Sequence, residues 1–533
     1  MKKITLVTLI LVLICSCWFM PRTSGKIMPL GQQLPPIPVG EPFGVTAYDQ
    51  GNIYRGNASI NCSFPALNDS AMDYVRVHVP WDAIEPQNDS FFSNTTQADA
   101  LDSIVADCNV KGKKLLLNIA WDCAWASSRD IDAENRWHIT PVYGAPLNVD
   151  DWKDFITHFI ARYNGNSSFG VFEIYDAPNI QPLWISSNES VRSFARLCCI
   201  TAETIRASLV DAVVVLPGLV CTREMFTAVD ATGMRHPVKF IDVMLDEIEL
   251  FIQESSTAND FYDLFDAVSF NVRGNVLDLE ACMALLEDGL VPVGRAHGTN
   301  LVLWMTGFGF NSTDRYLDVQ LQADSIAKVQ IVSVARHIQK IMYGNVMDGF
   351  PLTIDQYSTA SPGFSYGLVS SDFVVKPGFR AFETMATLLS GGKYAPGLLQ
   401  MEGFFEVDFR VFVFIDSSGR VLLFFWNNLP GMVKSFKISM ATADIIASIE
   451  EIAMDGSVRV TLSNTGDLYI DLTAGFGLSM LRITNSTIMD MIRIMNIMPE
   501  AAWVILYPLL IAIVLGVVVG LQQAPRQKND ARS

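Results

Sequence analysis

The chain has 533 residues, half of them hydrophobic, and a formal net charge of −18. That length exceeds one small domain and supplies apolar material for a large core. The charge excludes a nucleic-acid surface, which needs clustered Lys and Arg, and is read as a solvated acidic exterior. The six His stand far apart with no zinc spacing, so neither a metal nor another cofactor is expected.

Lys2 and Lys3 precede an apolar run, Ile4–Ile14, too short to span a bilayer easily, and small Cys15, Ser16 and Cys17 follow. This is the pattern of a secretory signal over residues 1–24, with cleavage after Cys17 or near Ser24-Gly25 both open. Residues 25–42 carry five Pro and no periodicity, as a linker does.

From residue 43 to 395 short apolar runs alternate with longer helical patterns. Strands are expected at Phe43–Ala47, Tyr74–Pro80, Lys114–Trp121, Gly170–Pro178, Ala212–Gly218, Asp266–Asn271, Asn300–Gly309 and Gly349–Tyr357. Between them Ala98–Lys111, Val149–Tyr163, Ser190–Ser208 and Gln322–Tyr343 repeat apolar residues at helical spacing. An open doubly wound sheet would alternate in the same way, but the eight units favour closure into an α/β fold, a (β/α)8 TIM barrel.

Beyond Tyr394 the runs Phe404–Ile415, Val421–Trp426, Ser435–Ser439, Ser457–Ser463 and Asp467–Leu472 alternate between turn residues. They predict a small antiparallel β-sandwich over 396–482. Residues 483–502 read as a juxtamembrane stalk, and Trp503–Leu521 is uncharged over 19 residues, long enough for a C-terminal transmembrane helix. Arg526, Lys528 and Arg532 place the tail 522–533 in the cytoplasm. The expectation is a type I protein of the cell surface or a secretory-pathway membrane.

Nine Asn-x-Ser/Thr sequons, at Asn57, Asn61, Asn68, Asn88, Asn94, Asn166, Asn188, Asn311 and Asn485, agree with that route. Outside the signal the Cys are Cys62, Cys108, Cys123, Cys198, Cys199, Cys221 and Cys282. An odd number leaves at least one thiol free or paired between chains, and several are equally well read as small buried residues.

Several places along the barrel region match one known pattern in order. VFEIYDAPN resembles the fourth-strand end of the clan A retaining β-glycosidases, where an Asn-Glu-Pro tripeptide carries the general acid/base. VRVHVPWDAIEP is similar to that family's second strand, giving Arg76 and Trp81, and LLLNIAWDCAW to its third, with an aromatic floor at Trp121. LVLWMTGFGFNS resembles the seventh strand, whose Thr-Glu-x-Gly holds the nucleophile, and YGLVSSDFVVKPGFRAFETM the segment after the eighth. The resemblance implies a TIM barrel with its site at the C-terminal ends of the strands.

The departures fall on the chemistry. Retaining hydrolysis needs two carboxyl groups about 5–5.5 Å apart. Here the acid/base position is Ala177 and the nucleophile position Gly307, neither of which donates a proton or attacks carbon. Asn271-Val272-Arg273 stands where the family often has His-x-Tyr. Asp176, Asp122 and Asp355 remain as fallback acids for a wider inverting geometry. The family's Arg holds the nucleophile; with that Glu gone, Arg76 would be a buried unpaired cation, so Asp176 or Glu173 is expected to pair with it.

The resemblance assigns substrate binding to Arg76, Trp81, Trp121, Asp176, Asn271, Trp304 and Tyr357. Three functions follow as expectations: a membrane-anchored glycosidase-like domain that binds a glycan or a cell-surface protein at the barrel mouth without cleaving it; an active O-glycosyl hydrolase with a non-standard carboxylate pair; or an adhesion scaffold with a closed cleft.

Overall fold

The computed structural model describes residues 43–48 and 71–484, apart from 94, 122, 131–141, 181–183, 185, 228–232, 274–275, 311, 313–315, 345, 347, 349–365, 371–373, 403–408, 429–433, 441–447, 464–469 and 475–477. Eight strands form a closed barrel: β1 Phe43–Tyr48, β2 Tyr74–Pro80, β3 Lys114–Ala120, β4 Val171–Ile174, β5 Val213–Cys221, β6 Ala267–Arg273, β7 Leu303–Gly309 and β8 Lys340–Tyr343. Each is parallel to its neighbours, and β1 pairs with β8 (Phe43 beside Ile341) to close the ring. A parallel sheet covered on both faces reads as nearly continuous apolar sequence, as VVVLPGLVC of β5, buried throughout, does.

Helices follow β2 to β8 in turn: α1 Thr95–Val110, α2 Val149–Tyr163, α3 Asn188–Ser208, α4 Pro237–Glu254, α5 Val276–Ala296, α6 Tyr316–Ala335 and α7 Pro377–Leu389. Ser187 starts α3 by accepting from the Ser190 backbone N–H, which satisfies one of the donors a helix start leaves open. Val191, Phe194, Ala195, Cys198, Ala202 and Ile205 then recur at helical spacing and are buried.

The eighth strand corrects the sequence reading. Gly349–Tyr357 was the expected strand, but the barrel closes with Lys340–Tyr343, which the helical pattern Gln322–Tyr343 had absorbed. The helix ends at Ala335, and His337 takes a left-handed φ of 58°, so the chain turns before the short buried run KIMY. Val334, Ile338, Ile341 and Met342 keep helical spacing past the end of the helix, so this four-residue buried strand shows no change of period to mark it. Residues 349–357, including Asp355 and Tyr357, lie outside the described residues.

The antiparallel region is larger than expected. One six-stranded sheet runs Lys393–Tyr394, Phe409–Ile415, Val421–Asn427, Ser479–Thr484, Ser448–Ile452, Val458–Ser463 in spatial order; a three-stranded sheet holds Leu399–Glu402, Lys434–Met440 and Ile470–Ala474. Lys393–Tyr394, Leu399–Glu402, Ser448–Ile452 and Ser479–Thr484 were not anticipated. The sandwich meets the barrel's helices through Arg410–Glu280 (2.6 Å), the Leu478 N–H on Asp324 (2.7 Å), and Lys328 above the Trp426 ring.

Among the described residues no helix is long and apolar enough to cross a membrane; residues 503–521 and the signal lie outside them. Of the sequons, Asn88 and Asn188 are exposed, while half-buried Asn166 donates its amide to the Tyr163 carbonyl; Asn57, Asn61, Asn68, Asn94, Asn311 and Asn485 are outside. Cys108, Cys123, Cys198, Cys199, Cys221 and Cys282 are all buried; Cys62 lies outside the described residues. Burial pushes the Cys123 thiol up to about 12, far from the range of a reactive thiolate.

His297 ties α5 to α4: its Nδ1 lies 2.7 Å from Glu249 and its Nε2 3.2 Å from Asp242. Two acceptors facing both nitrogens require the doubly protonated ring. Burial alone would lower its pKa, but the hydrogen bonds and charges of Glu249 and Asp242 raise it above 6.5. The link therefore stabilises fully below pH 6.5 and fades as pH rises through the raised value. Both acids are about half exposed, so the expected contribution is roughly 0.5–1 kcal/mol. His297→Gln should lower Tm by about 1–3 °C at pH 5 and leave it unchanged at pH 9, read by a thermal melt at each pH.

Candidate functional site

β2, β3, β4, β6 and β7 each place a polar side chain into one network toward the C-terminal end of the barrel. Its centre is Glu173, fully buried. Oε2 accepts from Arg76 Nε (2.6 Å) and Asn118 Nδ2 (2.8 Å) and lies 2.5 Å from Arg76 Nη2; Oε1 accepts from Ser269 Oγ (2.7 Å) and Thr306 Oγ1 (2.6 Å). A buried carboxylate is tolerable only when paired and saturated in this way. Burial works against the Arg76 charge, but Glu173 and Asp176 outweigh it and raise its pKa.

Asp176 forms the upper edge. It lies 3.1 Å from Arg76 Nη2 and accepts from Asn271 Nδ2 at 2.7 Å, with its side chain 35 % exposed. The buried cation thus has both of the acids the sequence offered. The chain reaches this position through two left-handed residues, Tyr175 (φ 69°) and Ala177 (φ 54°), each costing of order 1–3 kcal/mol. Between them Asp176 bridges to Gly218, and the Ala177 N–H donates to the Gly218 carbonyl at 2.9 Å.

Two glycines make room for the network. A Cβ on Gly218 would lie 2.8 Å from Asp176 Oδ1 and 2.9 Å from Asn271 Nδ2. A Cβ on Gly307 would lie 2.5 Å from Asn271 Oδ1 and 3.1 Å from its Cγ, distances that real Cβ contacts do not sustain. Asn271 is the strand partner of Gly307. The volume above the seventh strand, where the resemblance puts a nucleophile, is filled by the Asn271 amide.

His78 completes the group, its Nδ1 2.6 Å from Asn118 Oδ1. Burial, helped by the Arg76 charge, holds it below the usual imidazole range against the opposing pull of Asn118 and Asp176, so the ring is neutral near pH 7.

Of the residues proposed from sequence, the structure brings together Arg76, Asp176 and Asn271, beside Ala177 and Gly307. The indoles go elsewhere: Trp81, Trp121 and Trp304 are each 0 % exposed and offer no free face for a sugar. Trp81 packs on Trp125, Trp152 and Phe155 and donates to Glu85; Trp121 is enclosed by Trp152, Tyr175, Trp184 and Phe194. Trp304, near the start of β7, meets Tyr74, the first residue of β2, and donates to Gln339. An indole buries enough area that packing outcompetes exposure wherever helices cover the strands. Asp122, Asp355 and Tyr357 fall outside the described residues.

Asn118, Ser269, Thr306 and His78 were not singled out from sequence. Their signal is a polar residue inside an otherwise apolar strand, as in LLLNIA, AVSFNV, LWMTGF and YVRVHVP, since a buried polar group must find a partner.

The fold is similar to that of a family 39 glycoside hydrolase from Bacteroides cellulosilyticus, at 15 % identity over 84 % of this chain and 81 % of that one, TM-score 0.55. A monomeric β-xylosidase from Caulobacter crescentus matches at 14 % identity over 83 % and 95 %, TM-score 0.51. The family 39 enzyme from Xanthomonas axonopodis pv. citri matches at 12 % over 83 % and 94 %, TM-score 0.50. No protein-family model and no curated protein sequence matches the chain. The chain shares the barrel fold of these glycoside hydrolases, and likeness at this level carries the fold rather than the reaction.

Proposed function

We propose that this glycoside hydrolase-like barrel binds a glycan or a cell-surface protein at its mouth without performing retaining hydrolysis, as a membrane-anchored ectodomain. The observation that carries the reading is the Asn271 amide lodged against Gly307. A lost nucleophile alone would leave a hole, whereas here a neutral side chain from the next strand fills it and is tied to Asp176. Methyl-bearing Ala177 stands at the acid/base position, and Glu173 is too buried and saturated to reach a ligand. Each catalytic carboxylate supplies a separate part of the barrier, and neither is in place.

A panel of aryl β-glycosides incubated with the purified protein is expected to show no turnover above the buffer rate. Turnover abolished by Asp176→Asn would favour the alternative, an O-glycosyl hydrolase using Asp176, which is partly exposed and held by Arg76 and Asn271.

A further inference from the structure

Among the described residues Tyr366, at 38 % exposed, is the most exposed of the Phe, Trp and Tyr. It lies in the connection from β8 to α7, on the side of a βα barrel where the mouth opens. There it covers the last residue of β7: a Cβ on Gly309 would lie 3.5 Å from Tyr366 Cδ1. Gly309 is two residues past Gly307, roughly 6.6 Å along a strand. Its pairing with Arg273 continues that of Gly307 with Asn271. Strand register thus sets the ring near the Asn271–Asp176 pair.

The backbone beneath this exposed ring is anchored at three groups. Buried Tyr343 donates its hydroxyl proton to the Tyr366 carbonyl at 2.8 Å. The Gly367 N–H donates to Asp348 Oδ1 at 2.7 Å, and the Gly367 carbonyl accepts from Gln322 Nε2 at 3.3 Å. Asp348 is fixed in turn by Lys376, whose ammonium lies 2.6 Å from Oδ1 and 2.5 Å from Oδ2 and also donates to Ser312 Oγ at 3.0 Å. An aromatic face left in water forgoes the gain of burial. Anchoring its backbone beforehand lowers the ordering cost that a bound partner would otherwise impose. The two features together describe a preformed contact surface.

We propose that Tyr366 is a stacking platform for a neutral sugar ring at the mouth, and that Tyr343 and the Lys376–Asp348 pair position it. A pyranose with equatorial hydroxyls has C–H faces to lay on the ring and a polar edge to turn toward Asp176, which is 35 % exposed. Apolar surface beside a few placed polar groups is what ligand sites present. The proposal rests on the reading of the mouth as a carbohydrate site. To that it adds the residue that meets the sugar face and the class of glycan, one of neutral equatorial units.

Calorimetric titration of the full-length protein tests it with cellohexaose, xylohexaose and β-1,4-mannohexaose, the last of which sets a hydroxyl axial on one ring face. The first two are expected to bind more tightly than mannohexaose. Tyr366→Ala, at an exposed position that folding does not depend on, should weaken the tightest probe at least about tenfold, while Tyr366→Phe stays within about threefold. Tyr343→Phe should weaken that probe several-fold alone and add nothing to Tyr366→Ala, a non-additivity that a general loss of stability would not produce. Unchanged affinity in Tyr366→Ala, a Phe variant as weak as the Ala variant, or a preference for mannohexaose overturns the proposal. Additive losses overturn the positioning role of Tyr343. Failure of all three probes to bind the unaltered protein instead removes the carbohydrate reading on which the proposal stands.

Discussion

Glu173→Ala is expected to lower the unfolding free energy of the barrel by about 3–5 kcal/mol, the usual cost of breaking a buried ion pair from one side. The variant strands the Arg76 guanidinium with Asp176 as its remaining acid and takes an acceptor from Asn118 and Thr306, while Ser269 keeps the Leu216 carbonyl at 2.6 Å. Each buried donor left unsatisfied adds about 1–3 kcal/mol, so the upper part of the range is expected. Arg76→Met in the Glu173→Ala background should recover part of the loss, because the stranded charge goes while the orphaned Asn118 amide hydrogen and Thr306 hydroxyl stay. Urea unfolding followed by Trp fluorescence reads both. A midpoint for Glu173→Ala matching that of the unaltered protein would show that the network is not the support of the barrel floor.

Rebuilding the two carboxylates is expected to fail unless Asn271 is removed as well. Ala177→Glu with Gly307→Glu restores both acids on paper, yet the new Cβ at 307 would meet Asn271 Oδ1 at 2.5 Å. The Glu would be deflected, or Asn271 would be forced off Asp176. Adding Asn271→Ala frees that volume. The triple variant is expected to cleave aryl β-glycosides at least about 100-fold faster than the double, the low end of what a positioned acid/base contributes. If the double variant matched the triple, the Asn271 amide would not be the obstacle.

These expectations depend on knowledge that arrived at different levels. Alternation of apolar runs with helical periods spoke for a βα barrel, and the residues that cannot ionise at 177 and 307 could be seen once VFEIYDAPN and LVLWMTGFGF were aligned with the clan A pattern. The need of Arg76 for an acid followed from the resemblance, which implies a buried Arg there, together with the cost of an unpaired buried charge. The eighth strand escaped because Val334, Ile338, Ile341 and Met342 keep helical spacing into it, and the indoles were placed at the mouth because strand-end position says nothing of which face a helix will cover.

Local periodicity was thus enough to decide the class of fold, while Ala177 and Gly307 are read as positions without a carboxylate only against the clan A pattern. Which acid holds Arg76 more closely, what fills the space beside Gly307, and which atoms remain to face a ligand were decided only in three dimensions. Glu173 meets Ser269 and Thr306 across 96 and 133 residues of chain. Contacts of that separation depend on the register between strands, which no short window of sequence specifies.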